Sequence, residues 1–479
     1  MSGFIKGENR FQATLFPEQL DDYISEDNSV RVIDVFVDSL KLKKLGFAVK
    51  PTNKGRPGYD PALMLKLYIY GYLNRVQSSR RLECEAQRNV ELMWLLGRLA
   101  PDFKTIADFR KDHGAAIKKV CSEFVQLCKR LDLFCYTEVA IDGSKFKAVN
   151  NADRAFSKAK IKRRREAIDQ SIDRYLEGIK KADQQDTKES RNTKVHLKER
   201  LAKVKKEANR LELLEKKLLK TQDKQLSLTD PDSRIMATRG RSSVMVGYNV
   251  QSAVDTKNHL ILTHEVTNVG NDRAQLSNMA KQAKAILDVE KLDVLADRGY
   301  YSGKEILACA ENDITAYLPK THTSGNKAAG LFDRSDFIYD KSSDTYRCPA
   351  DQILKRRSKT THGEKVMYRY YASSLTCGSC PKKLTCTVAK ERRIDRWEHE
   401  EVLDDLDKRM ANERTRMGTR RSTVEHPFGT IKSWMGHTHF QTKTMPRVAT
   451  EMSLHVLSYN LKRVISILGV QNLITAIEG

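Results

Sequence analysis

The stretch that decides the fold is residues 243–267, which read SVMVGYNVQSAVDTKNHLILTHEVT. Two runs rich in Val, Ile and Leu, Ser243–Val254 and His259–Thr267, flank the polar residues Asp255–Asn258, and this pattern predicts a β-hairpin. Downstream, helical and strand-like segments alternate, in the order Asp272–Leu287, Leu292–Ala296, Ser302–Asn312 and Ile314–Leu318. Antiparallel strands followed by alternating helices and strands predict an α/β fold with a mixed sheet flanked by helices.

The composition restricts the class of protein. The 479 residues carry 85 Lys and Arg against 62 Asp and Glu, which gives a formal charge of +23 and a pI near 9.5. Such a basic chain favours a polyanionic partner. No run approaches 18 apolar residues, so no membrane span is predicted. Because Met1–Gln12 lacks the apolar core of a signal peptide and the nine cysteines are odd in number, we expect a protein of the reducing cytoplasm.

Residues 1–133 are predicted to be helical. Asp60 supplies an N-cap acceptor, Pro61 suits the first helical position, and the apolar-rich segment Ala62–Leu73 follows. Basic side chains accompany these short helices at Arg75, Arg80, Arg81 and Arg88. We predict an N-terminal all-α DNA-binding domain over residues 1–133. The alternative is a helical packing domain whose arginines are only solvated.

Residues 151–228 form a basic insert, with 23 Lys and Arg against 13 Asp and Glu. Apolar residues recur at helical spacing in two sets, Ile168, Ile172, Tyr175 and Ile179, then Leu197, Leu201, Val204, Ala208 and Leu211. The stretch Lys181–Lys194 between them has no large apolar residue. This pattern predicts two amphipathic helices joined by a polar turn. The hairpin is either a solvated spacer or an arm that tracks DNA or supports dimerisation.

Three carboxylates are candidates for a metal site. Asp142 follows the apolar run 139–141, which suggests a strand that ends in a carboxylate, and Asp297 follows the run 292–296. Glu425 lies in residues 421–432, which read RSTVEHPFGTIK. Mg²⁺ prefers carboxylate, water and phosphate oxygens. Two such ions can activate an attacking oxygen and stabilise a leaving oxygen during in-line attack on phosphorus.

Basic residues accompany these acids, as the approach of an anionic DNA backbone requires. The candidates for DNA binding are Arg421, Lys432, Lys145 and Arg298. In a chain of charge +23, acids and bases in this combination indicate phosphodiester chemistry. The alternative for each aspartate is a turn or cap role. The same loose description fits Asp255, Asp272 and Asp293.

Taken together, these segments resemble the bacterial insertion-sequence transposases of the DDE class. Ala140-Ile-Asp142-Gly-Ser is similar to the segment that carries their first aspartate, and Ala296-Asp297-Arg-Gly-Tyr300-Tyr-Ser302 is similar to their Asp-x-Gly-Tyr pattern. Arg421-x3-Glu425-x6-Lys432 resembles their Tyr-x2-Arg-x3-Glu-x6-Lys signature. The resemblance extends from about Phe11 to Val464.

The resemblance implies a ribonuclease H-like catalytic core in which Asp142, Asp297 and Glu425 are the catalytic residues and bind two Mg²⁺ or Mn²⁺ ions. Arg421 and Lys432 would contact the DNA backbone. The protein would bind the terminal inverted repeats of an insertion sequence, cleave the phosphodiester bonds at the element ends and transfer the 3′-OH strands to target DNA. We expect a homodimer or higher assembly on double-stranded DNA, associated with the bacterial nucleoid, with no membrane partner.

The sequence departs from the signature at two positions. Gly418 occupies the place of the signature tyrosine, so the contribution of that phenol is missing or supplied elsewhere. Pro427 follows Glu425 by two residues and cannot lie inside an undistorted helix. We therefore expect Glu425 near a kink or the start of a helix.

Four cysteines form a separate cluster: Cys348, Cys377, Cys380 and Cys386. A Cys-x2-Cys pair lets two thiolates reach one ion, and two further thiolates complete a tetrahedral Zn²⁺ site. We predict a structural zinc that holds a polar insert together, because the preceding residues Ser324–Thr361 suggest polar, irregular structure. The alternatives are redox-active or simply reduced cysteines.

The predicted organisation has four parts. They are the helical domain 1–133, the first part of the catalytic core 134–320 with its insert 151–228, the cysteine-rich insert 321–400, and the C-terminal helical part of the core 401–479, which carries Glu425. Two other functions stay open. One is a catalytically silent DNA-binding relative, and the other is a stand-alone Mg²⁺-dependent nuclease of the same fold.

Overall fold

The computed structural model describes residues 19–48, 58–184, 187–221, 223–238, 243–320, 325–363, 365–413 and 415–479. The start of the predicted N-terminal domain, including Phe11, lies outside these residues. The described chain has a mixed α/β architecture with one central mixed sheet, a smaller antiparallel sheet and many helices. Within the described residues, no helix is both long and apolar enough to cross a bilayer.

The helices and strands are numbered separately in chain order. The α-helices are α1 (Ser29–Ser39), α2 (Leu42–Leu45), α3 (Pro61–Leu73), α4 (Ser79–Arg88), α5 (Val90–Leu95), α6 (Phe103–Asp112), α7 (Gly114–Arg130), α8 (Lys158–Asp183), α9 (Lys188–Leu219), α10 (Leu276–Leu287), α11 (Gly303–Ala310), α12 (Gly325–Ala328), α13 (Ser374–Gly378), α14 (Lys383–Cys386), α15 (Glu400–Asn412), α16 (Arg416–Gly429), α17 (Met445–Leu468) and α18 (Val470–Glu478). The strands are β1 (Glu138–Lys147), β2 (Ala155–Ser157), β3 (Gln225–Ser227), β4 (Arg234–Ala237), β5 (Val244–Asp255), β6 (Ile261–Thr267), β7 (Leu292–Leu295), β8 (Ile314–Tyr317), β9 (Ile338–Asp340), β10 (Thr345–Arg347), β11 (Ile353–His362), β12 (Lys365–Tyr371) and β13 (Arg393–Trp397). Short 3₁₀ turns cover Leu20–Tyr23, Ala152–Arg154, Arg298–Tyr300 and Arg334–Asp336, and a π-helical segment covers Thr430–Trp434.

The central sheet has the strand order β4-β5-β1-β7-β8, and β6 pairs with β5. Strands β5 and β6 form the hairpin that the sequence predicts, and β1 lies antiparallel to β5. The pairs β1–β7 and β7–β8 are parallel. The predicted mixed sheet is therefore confirmed, with antiparallel strands on one side of β1 and parallel strands on the other.

The N-terminal helices pack directly against the C-terminal part of the chain. As predicted, α3 begins at Pro61, and the Asp60 side chain accepts a hydrogen bond from the Ala62 amide at 2.7 Å. One continuous hydrophobic core includes buried residues of α1, α3 and α7 together with residues of α17 and the central sheet. The long helix α17 contacts α3, α6, α7 and β6. The region is helical as predicted, and it shares the core of the sheet.

The insert after β1 is a pair of long helices, α8 and α9, as the apolar spacing predicts. A two-stranded ladder of β2 and β3 closes its base. A small core at that end holds Phe156, Ile161, Leu211, Leu214 and Leu218. The described remainder of α8 and α9 carries few buried side chains, which agrees with the charge-rich sequence.

The cysteine-rich insert contradicts the expectation of irregular structure over Ser324–Thr361. Strands β9 to β13 form a five-stranded antiparallel sheet in the order β13-β12-β11-β10-β9. Its own core contains Phe337, Tyr346, Leu354, Tyr370 and Ile394. Cross-strand tyrosine pairs stabilise this sheet, and their phenol groups and charged neighbours make the sequence look polar.

Candidate active site

Asp142 lies within β1, and the expectation that it ends a strand is wrong. The strand continues to Lys147 because its second half pairs with β5, where Asp142 lies opposite Ser252. The parallel ladder to β7 does end nearby, since its last pair is Ala140 with Leu295. Asp142 and Asp297 each lie two residues beyond that pair. Side chains alternate along strands, so Asp142 projects from the same face of the sheet as Ala140 and Leu295.

Helix α16 covers this face. Its Val424 joins Ala140, Leu295 and Tyr317 in one buried cluster. At the start of α16, Arg416 pairs with Asp293 at 2.7 Å and with Glu138 at 3.0 Å. The helix that carries Glu425 therefore lies over the end of the β1–β7 ladder, on the side to which Asp142 points.

The electrostatic environment of Asp142 is that of a buried acid among other acids. Burial raises its pKa to about 6, the Arg420 guanidinium lowers it, and the charges of Asp297 and Asp272 raise it again. Arg420 Nη1 lies 3.9 Å from Asp142 Oδ1. The Asp297 carboxylate is fixed at the other strand end, because its Oδ1 accepts a hydrogen bond from the Gly299 amide at 2.6 Å. Asp142 and Asp297 thus share one electrostatic site.

Asp272 is an acid near this site that the sequence did not single out. It lies in the loop between β6 and α10, and its Oδ1 accepts hydrogen bonds from Asn249 Nδ2 at 2.8 Å and Gln251 Nε2 at 2.7 Å. A Cβ on Gly143 would lie only 2.7 Å from the same oxygen, so a larger residue there would displace the Asp272 carboxylate. The sequence signal that could have indicated a polar partner here is the pair of amide side chains, Asn249 and Gln251, at alternate positions of the buried strand β5.

Strand register places Asp272 on the opposite face from Asp142. Its partners Gln251 and Asn249 lie opposite Gly143 and Lys145 in the ladder, and these positions alternate with Asp142. The Tyr300 hydroxyl donates to Gln251 Oε1 on that side. The Asp272 carboxylate nevertheless lies near Asp297, because a Cβ on Gly299 would be 3.6 Å from Asp272 Oδ2 and 2.9 Å from Asp297 Oδ1, and its charge raises the pKa of Asp142.

Glu425 is exposed on α16, and within the described residues no hydrogen bond or ion pair joins it to another group. It lies along the helix between Arg420, which faces Asp142, and Lys432. The Lys432 ammonium donates to Ser144 Oγ at 2.6 Å and to the Lys145 carbonyl at 2.9 Å. Contact between Glu425 and the aspartates stays a prediction.

Pro427 lies inside α16, and the helix continues as the π-helical segment at Thr430. Glu425 lies in the second half of α16, so the expectation that it lies near the start of a helix is wrong, and a kink at Pro427 stays a prediction. Gly418, at the position of the signature tyrosine, is exposed in the first turns of α16.

The predicted DNA-binding residues fall into two groups. Arg421 and Arg298 are exposed; Arg298 follows Asp297 in the chain, and Arg421 precedes Glu425 by one helical turn. Lys432 and Lys145 make contacts within the protein, since the Lys145 ammonium donates to the Ala237 carbonyl at 2.6 Å. The first pair is available to phosphate, whereas the second pair fixes the backbone after Asp142.

The four clustered cysteines come together in space. Cys348, Cys377, Cys380 and Cys386 all line one cavity of about 30 Å³. Burial raises the pKa of the Cys386 thiol, the Arg392 guanidinium lowers it, and the other three thiols raise it. Among the described residues no three of these sulfur atoms lie within 4.8 Å of one another, so a zinc ion would require the thiols to move closer, and its presence stays a prediction.

The acids at the sheet edge are of the type that binds divalent cations, although among the described residues no three of them lie within 4.8 Å of one another. Carboxylate oxygens are the ligands that Mg²⁺ and Mn²⁺ prefer. The raised pKa of Asp142 shows that burial and neighbouring negative charge oppose its ionised form. A bound cation would favour the ionised carboxylate and so lower the pKa of Asp142, as metal ions usually do for their ligands.

We expect Asp142→Asn to stabilise the metal-free protein at pH 8. The folded-state pKa near 6 lies above the usual 3.8, so the folded state binds the extra proton and loses stability as pH rises from about 4 to 6. Removing the charge should raise the free energy of unfolding by about 1–3 kcal/mol at pH 8 and leave it unchanged at pH 4. Thermal unfolding at both pH values measures this. If Asp142→Asn is less stable than wild type at pH 8, the proposed environment of Asp142 is wrong. The same holds if Mn²⁺ raises the unfolding temperature of the variant and of wild type equally.

Comparisons with known proteins agree with these segments. One family model, described as a transposase domain (DUF772), matches residues 18–112, and a second, described as a transposase DDE domain, matches residues 223–461. The second range includes Asp297 and Glu425, and Asp142 lies between the two ranges. No curated protein matches the sequence. A cryo-EM structure of a piggyBac transposase synaptic complex with hairpin DNA is similar at 8% identity and a TM-score of 0.31, over 94% of this chain and 79% of that chain.

Proposed function

The chain belongs to the DDE transposases of insertion sequences, and on that premise we propose that it cleaves the phosphodiester bonds at the ends of such an element and transfers the 3′-OH strands to target DNA. The observation that carries this proposal is the placement of Asp142 and Asp297 in one electrostatic site where the parallel β1–β7 ladder ends. The strand order of the central sheet supports a ribonuclease H-like interpretation of the core.

We assign the catalytic roles to Asp142, Asp297 and Glu425, which would hold two Mg²⁺ or Mn²⁺ ions. When bound, such ions supply activation of the attacking water or 3′-hydroxyl and stabilisation of the leaving oxygen. Glu425 is preferred to Asp272 as the third acid because α16 covers the face to which Asp142 points. Asp272 approaches from the other face and is held by two amides.

Neighbouring residues would keep the acids ready for this chemistry. The Arg420 guanidinium lowers the pKa of Asp142 and so favours its ionised, ligating form. The Gly299 amide orients Asp297. Lys432 ties the helix that carries Glu425 to the backbone just after Asp142. The acids thus lie on elements that are joined by named contacts, as a preorganised site requires.

The exposed arginines beside the acids would receive the DNA backbone. We expect Arg421→Gln to lower affinity for all duplexes alike and to reduce the slope of log K against log salt by about 1, because each phosphate contact releases about one counterion. The control is Lys257→Gln, at the turn of the β5–β6 hairpin. Salt-dependent binding measurements test this. A slope equal to that of wild type would show that Arg421 does not contact the DNA backbone.

Recognition of the element ends is assigned to the N-terminal helices. Their basic side chains are exposed in the structure, at Arg75, Arg80, Arg81 and Arg88. Phosphate contacts set position and base contacts set specificity, so these helices would supply the end recognition that the catalytic acids lack. Transfer of two ends requires a dimer or higher assembly, to which the α8–α9 arm is a candidate contributor.

The cysteine-rich insert would hold a structural Zn²⁺ through Cys348, Cys377, Cys380 and Cys386. The shared cavity supports this assignment. Four thiolate ligands leave no open position, so the ion would have no part in the chemistry.

The test is an assay on a plasmid that carries the element with its own ends. The proposal predicts Mg²⁺-dependent cleavage at the ends and joined products in target DNA. Cleavage without joining would indicate a stand-alone nuclease. End binding with neither reaction would indicate a silent DNA-binding relative.

A further inference from the structure

A second group of possible metal ligands lies in the core, away from the acids at the sheet edge. It consists of His437, in the segment after the π-helical turn, and Glu451 and His455, which lie one turn apart on α17. One ligand atom from each residue lies within 4.8 Å of the others. All three side chains are fully buried, with 0% exposure.

The two imidazoles have no partners for their polar atoms. Within the described residues, neither Nδ1 nor Nε2 of His437 or of His455 makes a hydrogen bond. The rings lie with their centroids 3.6 Å apart. Each buried polar atom without a partner costs about 1–3 kcal/mol. Four such atoms at one point in a well-packed core indicate a missing ligand.

Both histidines are neutral in this environment, as metal ligation requires. Burial lowers the pKa of His437 to about 3, and the charges of His439 and Lys432 lower it further. Burial likewise lowers the pKa of His455 well below its usual range, and Arg110 acts in the same direction. Each neutral imidazole therefore offers one ring nitrogen with a lone pair.

Glu451 is held in place by the segment that follows His437. Its Oε1 accepts from the Gln441 amide at 2.8 Å, and its Oε2 accepts from the Thr442 amide at 2.9 Å and the Thr442 hydroxyl at 2.6 Å. A carboxylate has about four acceptor positions, so these bonds leave room for a cation. Hydrogen bonds of this kind orient metal-binding carboxylates in known sites.

We propose that His437, Glu451 and His455 bind one divalent transition-metal ion of the Zn²⁺ type, with a structural role. Two imidazoles and a carboxylate are a donor set that such ions accept. In a tetrahedral site with bonds of about 2.0–2.1 Å, ligand atoms lie about 3.3 Å apart. The observed limit of 4.8 Å requires a contraction of at most about 1.5 Å, and the two stacked imidazoles must turn so that a lone pair of each points at the ion.

The position of the cluster indicates what the ion would do. The Tyr72 ring of α3 contacts the His455 ring edge-on at 4.5 Å, and Gln77 Nε2 donates to the Met435 carbonyl at 3.0 Å. His437 follows Lys432 by five residues. The ion would therefore fasten the segment after the Glu425 helix to α17, at the contact with the N-terminal helices.

The test uses the full chain with Cys377→Ser and Cys380→Ser, so that the thiol cluster cannot bind metal, and Co²⁺ as the probe. The protein is dialysed against excess Mg²⁺ to occupy the carboxylates at the sheet edge. We expect one tightly bound Co²⁺ per chain, with visible bands and without thiolate charge transfer. Adding His455→Gln should remove the ion, and adding His439→Ala, an exposed neighbour, should retain it.

A second measurement does not depend on any variant. Zinc-edge X-ray absorption of the wild-type chain should show nitrogen scattering with the pattern of imidazole. Absence of tightly bound Co²⁺, or a zinc environment of sulfur alone, would overturn the proposal and leave the cluster as a buried pair of neutral imidazoles solvated by water. Retention of Co²⁺ after His455→Gln would overturn it as well.

Discussion

Replacing Asp297 by Asn is expected to lower the rates of end cleavage and strand transfer by at least about a thousandfold. Ligation of catalytic ions is worth several kcal/mol of transition-state stabilisation, and each 1.36 kcal/mol is a factor of ten in rate. The amide keeps the size of the side chain and its acceptor for the Gly299 amide, so the fold should persist. DNA affinity should not fall, because a negative charge is removed.

The control for this variant is Asp288→Asn. Asp288 ends α10 in a left-handed conformation that asparagine also tolerates, and its side chain is 89% exposed. Both variants are compared with wild type in single-turnover cleavage and in joining. If the cleavage rate of Asp297→Asn is within tenfold of the wild-type rate, Asp297 is not a catalytic residue.

The second large effect distinguishes the two candidates for the third acid. Glu425→Gln should lower cleavage and joining about as much as Asp297→Asn, since we place both carboxylates on the same ions. It should not alter stability, because the Glu425 side chain is exposed and makes no ion pair to another described residue.

Asp272→Asn provides the matched comparison. It should lower stability by about 1–3 kcal/mol, because it weakens two hydrogen bonds to a charged acceptor. At temperatures where the variant is folded, it should lower activity by much less than Glu425→Gln. If Asp272→Asn abolishes activity and Glu425→Gln does not, then Asp272 is the third acid.

Patterns of local sequence predicted the strands of the central sheet except β4. The hairpin of β5 and β6 followed from two apolar runs and a polar turn, and Asp297 followed from a short run that does end where predicted. Asp142 was placed less well, because the run 139–141 does not reveal that β1 continues to Lys147 along β5. The second half of β1 forms because it pairs with β5, about 110 residues away in the chain. The periodicity of the local sequence does not reveal such a pairing.

Long-range contacts account for the other differences. The amides of Asn249 and Gln251 bind Asp272, which the sequence distinguishes from neither Asp255 nor Asp293. In the cysteine-rich insert, aromatic cross-strand pairs such as Tyr346 with Tyr370 replace aliphatic alternation. The buried cluster at His437 is a further example, because its partners Glu451 and His455 lie on α17 and local sequence does not indicate them.

We propose that acids from β1, the end of β7 and α16 form one site for divalent ions. The number of Mn²⁺ ions bound per chain on an element-end duplex, read by electron paramagnetic resonance, tests this proposal. We expect wild type to bind two more ions than the double variant Asp142→Asn with Asp297→Asn, and Glu425→Gln to bind at least one fewer than wild type. Equal binding by wild type and the double variant would contradict it.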